Sequence, residues 1–171
     1  MRKCSFVCLL SLFLVYACQP VQEVSTTIFL VRHAEKDTTM DTEDPPLTEK
    51  GQKRAVNLWE NLDVDSVHAL YSTDYNRTQA TLEPLSAQFN LPINIYEAHD
   101  FEGFANELRE KHSGQTVVVS GHSNTILPII EALGATPPLD SIGEQEYDHI
   151  FTVEIAGEKA RAKVKEYQNV Q

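Results

Sequence analysis

Two apolar stretches of this sequence end in a histidine, and in the first an arginine comes directly before it. "IFLVRH" ends at Arg32-His33, and "VVVSGH" ends at Gly121-His122. A third stretch, "ALYSTDYNR", brings Arg77 a few residues beyond its apolar part. Charged groups at the edge of a core cost free energy unless a partner neutralises them. Because planar guanidinium groups match the oxygens of a tetrahedral anion, the pattern predicts a site for phosphate.

Strands must bring these residues together, and the rest of the sequence predicts such strands. Short apolar runs alternate with helical stretches, which is typical of an α/β fold. We expect strands over 26–31, 66–72, 91–96, 116–120, 149–155 and 160–167, and helices over 47–62, 76–90, 103–112 and 124–133. Pro84 predicts an interruption in the second helix. Since ligands of open α/β sheets bind beyond the carboxyl ends of the strands, Arg32, Arg77 and both histidines should face one crevice.

The same residues carry a resemblance to a known family. The sequence resembles the histidine phosphatase superfamily, which has the phosphoglycerate mutase-like fold. The "RH" motif of the family matches Arg32-His33, its downstream arginine matches Arg77 in "YSTDYNRTQAT", and its second histidine matches His122 in "GHSN". "PLTEKGQKRA" looks like the "LTxxGxxQA" helix start of the family. The resemblance covers residues 26–155 and implies a three-layer α/β/α fold with a mostly parallel central sheet.

This resemblance implies a phosphatase that needs neither a metal nor another cofactor. His33 would attack phosphorus to form a phosphohistidine, which water would hydrolyse. Arg32, Arg77 and His122 would hold the phosphate, with Ser123 at the start of the following helix as a further contact. We expect Arg32, Arg77 and a cationic His122 to lower the pKa of His33.

An alcohol leaving group also needs a proton, and the resemblance implies a donor just after the third strand. "INIYEAHDFEG" offers Glu97, Asp100 and Glu102, of which Glu97 is preferred because it follows the strand directly. Thr39 stands where the mutase-type motif of the family has an asparagine that helps to hold phosphate. We keep Thr39 as a phosphate-binding candidate, and its identity argues against mutase activity.

Other functions fit the sequence less well. "VVVSGHSNT" has the setting of a nucleophile elbow with Ser123 as the nucleophile, but Thr125 stands where a small residue is required. The sequence contains no H-E-x-x-H motif or paired-carboxylate spacing of a metal hydrolase. The remaining alternative is a scaffold that binds a phosphorylated ligand without turnover. The substrate can be a small phosphate ester or a phosphoprotein, including one that carries phosphohistidine.

The amino terminus predicts export and a membrane anchor. Arg2 and Lys3 precede an apolar run, which is typical of a secretory signal over residues 1–17. "VYAC" resembles a bacterial lipobox, so we expect lipidation at Cys18, a tether over 18–25 and a catalytic domain over 26–171. The protein would then lie in the cell envelope, outside the cytoplasm. Its net charge of −11 and the absence of a basic stripe argue against nucleic acid as a partner.

Overall fold

The computed structural model describes residues 24–167, which form six strands and four helices. The elements are β1 Ser25–Arg32, α1 Glu49–Leu62, β2 Ala69–Ser72, α2 Asn76–Phe89, β3 Ile93–Ile95, α3 Phe101–Lys111, β4 Thr116–Gly121, α4 Ile126–Ala132, β5 His149–Ala156 and β6 Lys159–Glu166. The predicted α/β class is therefore confirmed, and every predicted strand and helix is present. β2, β3 and α4 are shorter than the sequence pattern indicates.

All six strands belong to one mixed sheet with the order β3-β2-β4-β1-β5-β6. The first four strands, β1, β2, β3 and β4, pair with one another in parallel. β5 and β6 form an antiparallel hairpin beside β1. β2, β4 and β1 are neighbours, and each is followed by a segment with predicted site residues. The carboxyl ends of these three strands consequently lie together at one edge of the sheet.

Alternation of apolar residues along the strands divides the core between the two faces of the sheet. In β1, Ile28 and Leu30 pack with residues of α3 and α4, whereas Phe29 and Val31 pack with residues of α1 and α2. Strands that are buried on both faces read as continuous apolar runs, which accounts for "IFLV" and "VVV". This burial fixes the register of β1 and β4, and with it the direction of the residues that follow them.

α2 differs from its prediction at Pro84. The helix runs without interruption from Asn76 to Phe89, with Pro84 inside it. A proline removes one helical hydrogen bond, but Leu82 and Leu85 on either side are completely buried in the core. Their packing holds the helix together, so the predicted interruption is wrong.

The predicted signal, Cys18 and nearly all of the tether lie outside the described residues. The catalytic domain was expected from residue 26, and β1 begins one residue earlier, at Ser25. Between residues 24 and 167, no helix has the length and apolar character that a membrane span requires.

Candidate active site

The two predicted histidines follow neighbouring strands that are paired up to their last residues. Arg32 pairs with Gly121 at the end of the β1–β4 ladder, and the His33 amide donates to the Gly121 carbonyl oxygen over 2.9 Å. The ring centroids of His33 and His122 consequently lie 5.5 Å apart. The sheet itself therefore sets the separation of the two imidazoles.

A cavity of about 650 Å³ opens at this edge of the sheet. Its lining contains the predicted residues Arg32, His33, Arg77, Glu97, His122 and Ser123. It also contains Lys36, Thr73, Asp74, Tyr75, Ile95, Tyr96, Ala98, His99, Asn124, Thr125 and Glu144. The structure thus brings together side chains that are up to 112 positions apart in the sequence.

His33 has one ring nitrogen that is ready to attack. The residue is only 3% exposed, and its Nδ1 lies 2.8 Å from the Ala34 carbonyl oxygen. Because a carbonyl oxygen only accepts hydrogen bonds, Nδ1 carries the proton and Nε2 keeps its lone pair in the neutral ring. Burial lowers the pKa of His33 to about 3, and the charges of Arg32 and Arg77 contribute. We expected the charges to lower this pKa, but burial has the larger effect.

Arg32 is held in place from one side. Its Nη1 donates to the carbonyl oxygens of Gly143 (2.8 Å), Glu144 (2.9 Å) and Glu146 (3.2 Å). Its Cζ lies 4.3 Å from the centre of the Tyr147 ring. The Nε atom is buried and has no hydrogen-bond partner among the described residues. Buried donors are almost always paired, so this N–H is a donor that no described protein group satisfies.

Arg77 is held in a similar way by a different loop. Its Nη1 donates to Asp44 Oδ1 (3.2 Å) and to the Glu43 carbonyl oxygen (3.3 Å), and its Cζ lies 4.2 Å from the Tyr75 ring centre. The Asp44 carboxylate also accepts the Asn76 amide at the start of α2. Arg77 Nε is a second buried donor without a partner in the described part of the chain. Asp44 therefore fixes both the helix start and the guanidinium.

His122 is uncharged near neutral pH. Burial, followed by the charges of Arg77 and Arg32, lowers its pKa to about 4. The expectation of a cationic His122 is therefore wrong, because two fixed guanidinium charges face a half-buried ring. Its Nε2 lies 2.9 Å from Thr73 Oγ1, which in turn lies 3.0 Å from Thr78 Oγ1. These hydroxyls fix the orientation of the imidazole.

Of the three carboxylates proposed as proton donor, the structure brings Glu97 to the cavity. The Asp100 carboxylate accepts the Gly103 amide (3.0 Å) and caps α3. Glu102 follows in the first turn of α3 and faces away from the cavity lining. Thr39 is also outside the cavity, because its hydroxyl and amide donate to the exposed Asp37 carboxylate.

Gly121 is required by packing around the second histidine. A Cβ atom at this position would lie 2.8 Å from Tyr96 Oη and 2.9 Å from Thr125 Oγ1. The Thr125 hydroxyl oxygen accepts the His122 amide over 2.9 Å. The absent side chain of Gly121 makes room for these two hydroxyl groups.

The loop after His33 is attached to α1 by an ion pair that sequence reasoning missed. The Glu35 carboxylate accepts from Arg54 Nε (2.9 Å) and Nη2 (2.8 Å), and Lys50 lies 3.2 Å away. Burial opposes ionisation of Glu35, but the hydrogen bonds from Arg54 outweigh it and lower its pKa to about 2. Gly51 allows the close approach, since a Cβ there would lie 2.3 Å from the Glu35 carbonyl oxygen.

Sequence reasoning also missed Thr73, Asp44 and Tyr147, which hold the predicted residues. Thr73 comes directly after β2, so its place near the carboxyl edge could have been deduced. Asp44 and Tyr147 lie in loops, and no local pattern reveals that they face an arginine. Within residues 24–167, no cluster of three or more His, Cys, Asp or Glu side chains is arranged to hold a metal ion.

Comparison with protein families finds a match over the first part of the domain. Residues 28–100 match the family described as histidine phosphatase superfamily (branch 1). The matched segment includes Arg32, His33, Arg77 and Glu97, and it ends before His122. No curated protein is a significant match to the sequence.

Solved structures show the same fold over most of the chain. A candidate alpha-ribazole-5'-P phosphatase from Escherichia coli is 17% identical, with a TM-score of 0.66 over 85% of this chain and 98% of that one. A mycobacterial glucosyl-3-phosphoglycerate phosphatase is 15% identical, with a TM-score of 0.64 and coverage of 86% and 100%. The candidate phosphohistidine phosphatase SixA from Nakamurella multipartitia is 19% identical, with a TM-score of 0.58 and coverage of 82% and 95%. At these identities the similarity shows the fold alone.

Proposed function

We propose that this protein is a member of the histidine phosphatase superfamily and hydrolyses phosphomonoesters through a phosphohistidine on His33. One observation carries the proposal. An imidazole with a free Nε2 shares a cavity with two fixed arginines, and each arginine has a buried N–H without a partner. Phosphate oxygens are strong acceptors that satisfy such donors. The fold that supports this site is the three-layer arrangement in which α1 and α2 cover one face of the sheet and α3 and α4 the other.

In the first step, His33 Nε2 attacks phosphorus in line with the leaving oxygen. The P–N bond forms while the P–O bond breaks, and Glu97 donates a proton to the leaving alkoxide. The ring then carries a positive charge, which the hydrogen bond from Nδ1 to the Ala34 carbonyl oxygen stabilises. Arg32 and Arg77 stabilise the charge on the phosphoryl oxygens in the transition state.

In the second step, water attacks phosphorus and the P–N bond breaks. Glu97, now a carboxylate, accepts the proton of the water, and inorganic phosphate leaves. Neutral His122 donates one hydrogen bond to the phosphoryl group from the nitrogen that carries its proton. The low pKa of His33 supports both steps, because the free ring stays unprotonated in mildly acidic solution.

Turnover of p-nitrophenyl phosphate with excess chelator tests the proposal. We expect hydrolysis by the wild type and none above background by His33→Ala. Rapid quenching with labelled substrate should trap an acid-labile, base-stable phosphoenzyme in the wild type. Equal rates for the two proteins would remove His33 from the mechanism. Binding of phosphate without turnover would favour the scaffold alternative.

Glu97 is tested with two substrates of different leaving-group quality. Glu97→Gln should slow hydrolysis of an alkyl phosphate by about 10²-fold or more, because general acid catalysis contributes that much. It should have a much smaller effect on p-nitrophenyl phosphate, whose leaving group needs no proton. Asp74→Asn is the matched control, since Asp74 lines the same cavity. The same loss on both substrates would contradict the role of Glu97.

We further propose that Cys18 is lipidated and anchors the protein in the cell envelope. The proposal rests on the charged start, the apolar run and the "VYAC" sequence. Two acyl chains give stable attachment to a membrane, whereas one does not. Cys18→Ser should move the protein from the membrane fraction to the soluble fraction. Unchanged partitioning would refute the anchor.

A further inference from the structure

Lys36 is a cation of the cavity that has no partner in the described part of the chain. It is half-buried, and it lines the cavity together with both arginines and both histidines. Its ammonium group makes no hydrogen bond or ion pair with any residue between 24 and 167. Other lysines of the domain do form ion pairs, namely Lys50, Lys53, Lys111 and Lys163. Lys36 therefore differs from them in facing the cavity with its charge unpaired.

The carboxylates next to Lys36 in the sequence are already occupied. Glu35 binds Arg54 and Lys50, as described above. The Asp37 carboxylate accepts the Thr39 amide (2.9 Å) and the Thr39 hydroxyl (2.6 Å). Neither carboxylate is free to neutralise Lys36. No carboxylate between residues 24 and 167 forms an ion pair with Lys36, so a ligand in the cavity can supply the opposite charge.

The backbone holds Lys36 where its charge reaches the site. Lys36 pairs with Leu47 in an antiparallel bridge, and the Asp37 amide donates to the Pro46 carbonyl oxygen over 2.8 Å. After burial and the two arginines, the charge of Lys36 is among the causes that lower the pKa of His122. The ammonium and the second histidine thus face the same space.

The cavity has room for more than a phosphoryl group. Its volume of about 650 Å³ is in the range of sites that enclose whole small molecules. Elsewhere on its wall, the exposed carboxylates of Asp74, Glu97 and Glu144 repel a second anion. An additional negative charge on the substrate is therefore favoured only beside Lys36.

From these contacts we propose that Lys36 determines specificity by binding a second anionic group of the substrate. The preferred substrates are then phosphomonoesters whose leaving group carries a carboxylate or another phosphate. This inference rests on the proposed phosphatase function and adds a substrate class to it. Lys36 acts on the leaving-group side of phosphorus, whereas Arg32 and Arg77 act on the phosphoryl oxygens.

Two matched substrates test the role of Lys36. Phosphoglycolate and 2-hydroxyethyl phosphate differ only in a carboxylate that replaces a hydroxymethyl group. Wild type should have the higher kcat/KM for phosphoglycolate. Lys36→Gln should lower that value by about tenfold, as expected for loss of a charge-assisted hydrogen bond, and should change the other value by less than about twofold. Lys36→Arg should keep the preference.

Lys53→Gln is the control, because Lys53 is an exposed lysine of α1 outside this cavity. It should leave both kcat/KM values unchanged. Calorimetric binding of the two compounds to wild type and Lys36→Gln gives a readout that does not depend on turnover. An equal loss for both compounds, or a preference that survives in Lys36→Gln, would overturn the inference. Absence of p-nitrophenyl phosphate hydrolysis would instead refute the phosphatase function. The calorimetric comparison would then still test whether Lys36 binds the carboxylate.

Discussion

Arg54 and Arg32 are both buried, with exposed fractions of 1% and 4%, but the protein uses their guanidinium groups differently. Arg54 forms two hydrogen bonds to the Glu35 carboxylate, so its charge is neutralised inside the protein. Arg32 donates to neutral backbone carbonyl groups and keeps a buried N–H without a partner in the described chain. The first arginine stabilises the fold. The second has only the exposed Glu144 carboxylate as an ionic neighbour, 3.6 Å from its Nη2, and keeps donors for a ligand.

Arg77 belongs with Arg32 in this comparison, since each has one carboxylate neighbour, Asp44 and Glu144 respectively. Asp44 contacts only its Nη1, and the Nε side stays unpaired. Burial and positive charge alone therefore do not identify a ligand-binding arginine. The criterion is whether the donors that face the cavity have acceptors in the protein.

The largest expected effect concerns Arg54, the arginine that pairs with a buried carboxylate. Arg54→Met should lower the free energy of unfolding by about 3–5 kcal/mol, because the Glu35 carboxylate is left buried without its main partner. Urea unfolding measures this change. Lys53→Met, at an exposed position of the same helix, should change stability by less than about 0.5 kcal/mol. If the two variants are equally stable, the Arg54–Glu35 pair has no structural role.

For Arg77, which lines the cavity, we expect a large loss of activity and a small loss of stability. Arg77→Ala should lower kcat/KM for p-nitrophenyl phosphate by about 10²–10³-fold, the usual cost of one donor to a transition-state oxyanion. Its stability should change much less than that of Arg54→Met, because no carboxylate loses its only partner. Steady-state kinetics and urea unfolding on the same samples check both parts. A stability loss as large as that of Arg54→Met would remove the distinction between the two arginines.

Acid should lower the stability of the protein through His33 and through Glu35 in different pH ranges. The pKa of His33 is lowered from 6.5 to about 3, so the unfolded chain binds more protons and stability falls as the pH decreases through this range. One such group contributes up to about 1.4 kcal/mol per pH unit. Glu35, with its pKa lowered from 4.5 to about 2, contributes a loss only below pH 4.5.

Urea unfolding at pH 7, 6 and 5 separates these contributions. His33→Asn should reduce the dependence of stability on pH over this range, whereas Glu35→Gln should leave it unchanged. His122, with its pKa lowered to about 4, keeps part of the dependence in the first variant. If the free energy of unfolding depends on pH equally in wild type and His33→Asn, His33 does not lose its proton on folding in this range.

The smallest effect is expected at Asp44, which pairs with Nη1 of Arg77. Asp44→Asn keeps an oxygen that accepts the Asn76 amide but loses the charge beside Arg77. We expect KM for p-nitrophenyl phosphate to rise by about threefold to tenfold with little change in the free energy of unfolding, since a partly exposed ion pair contributes modestly. Asp37→Asn, in the same loop and outside the cavity, should leave KM unchanged. A large loss of stability in Asp44→Asn would indicate that Asp44 acts only as a cap of α2.

The part of the site that follows strands could be predicted from the sequence. Buried strands are continuous apolar runs, and the residues after them must lie at the carboxyl edge of the sheet. Arg32 ends β1, and His33 and His122 come directly after β1 and β4, so strand pairing alone brings these residues to one cavity. Glu97 follows β3 in the same way and also reaches the cavity.

The groups that support these residues could not be predicted, because long loops bring them in. Asp44 lies 33 positions from Arg77, and Gly143 lies 111 positions from Arg32. Nothing in a local pattern reveals such pairings. At Pro84 a local pattern gave the wrong prediction. The proline predicted a helix break, but burial of Leu82 and Leu85 keeps the helix continuous.

The hydrogen bond from the His33 amide to the Gly121 carbonyl oxygen affects which segments of the protein can be altered. It extends the β1–β4 ladder past the last strand residues, so the spacing of nucleophile and second imidazole is inherited from the most rigid part of the domain. Loops around the rim can therefore be lengthened, shortened or exchanged while the reacting groups stay in register. A library that randomises the rim and leaves β1 and β4 intact is the natural route to enzymes with altered selectivity on this scaffold.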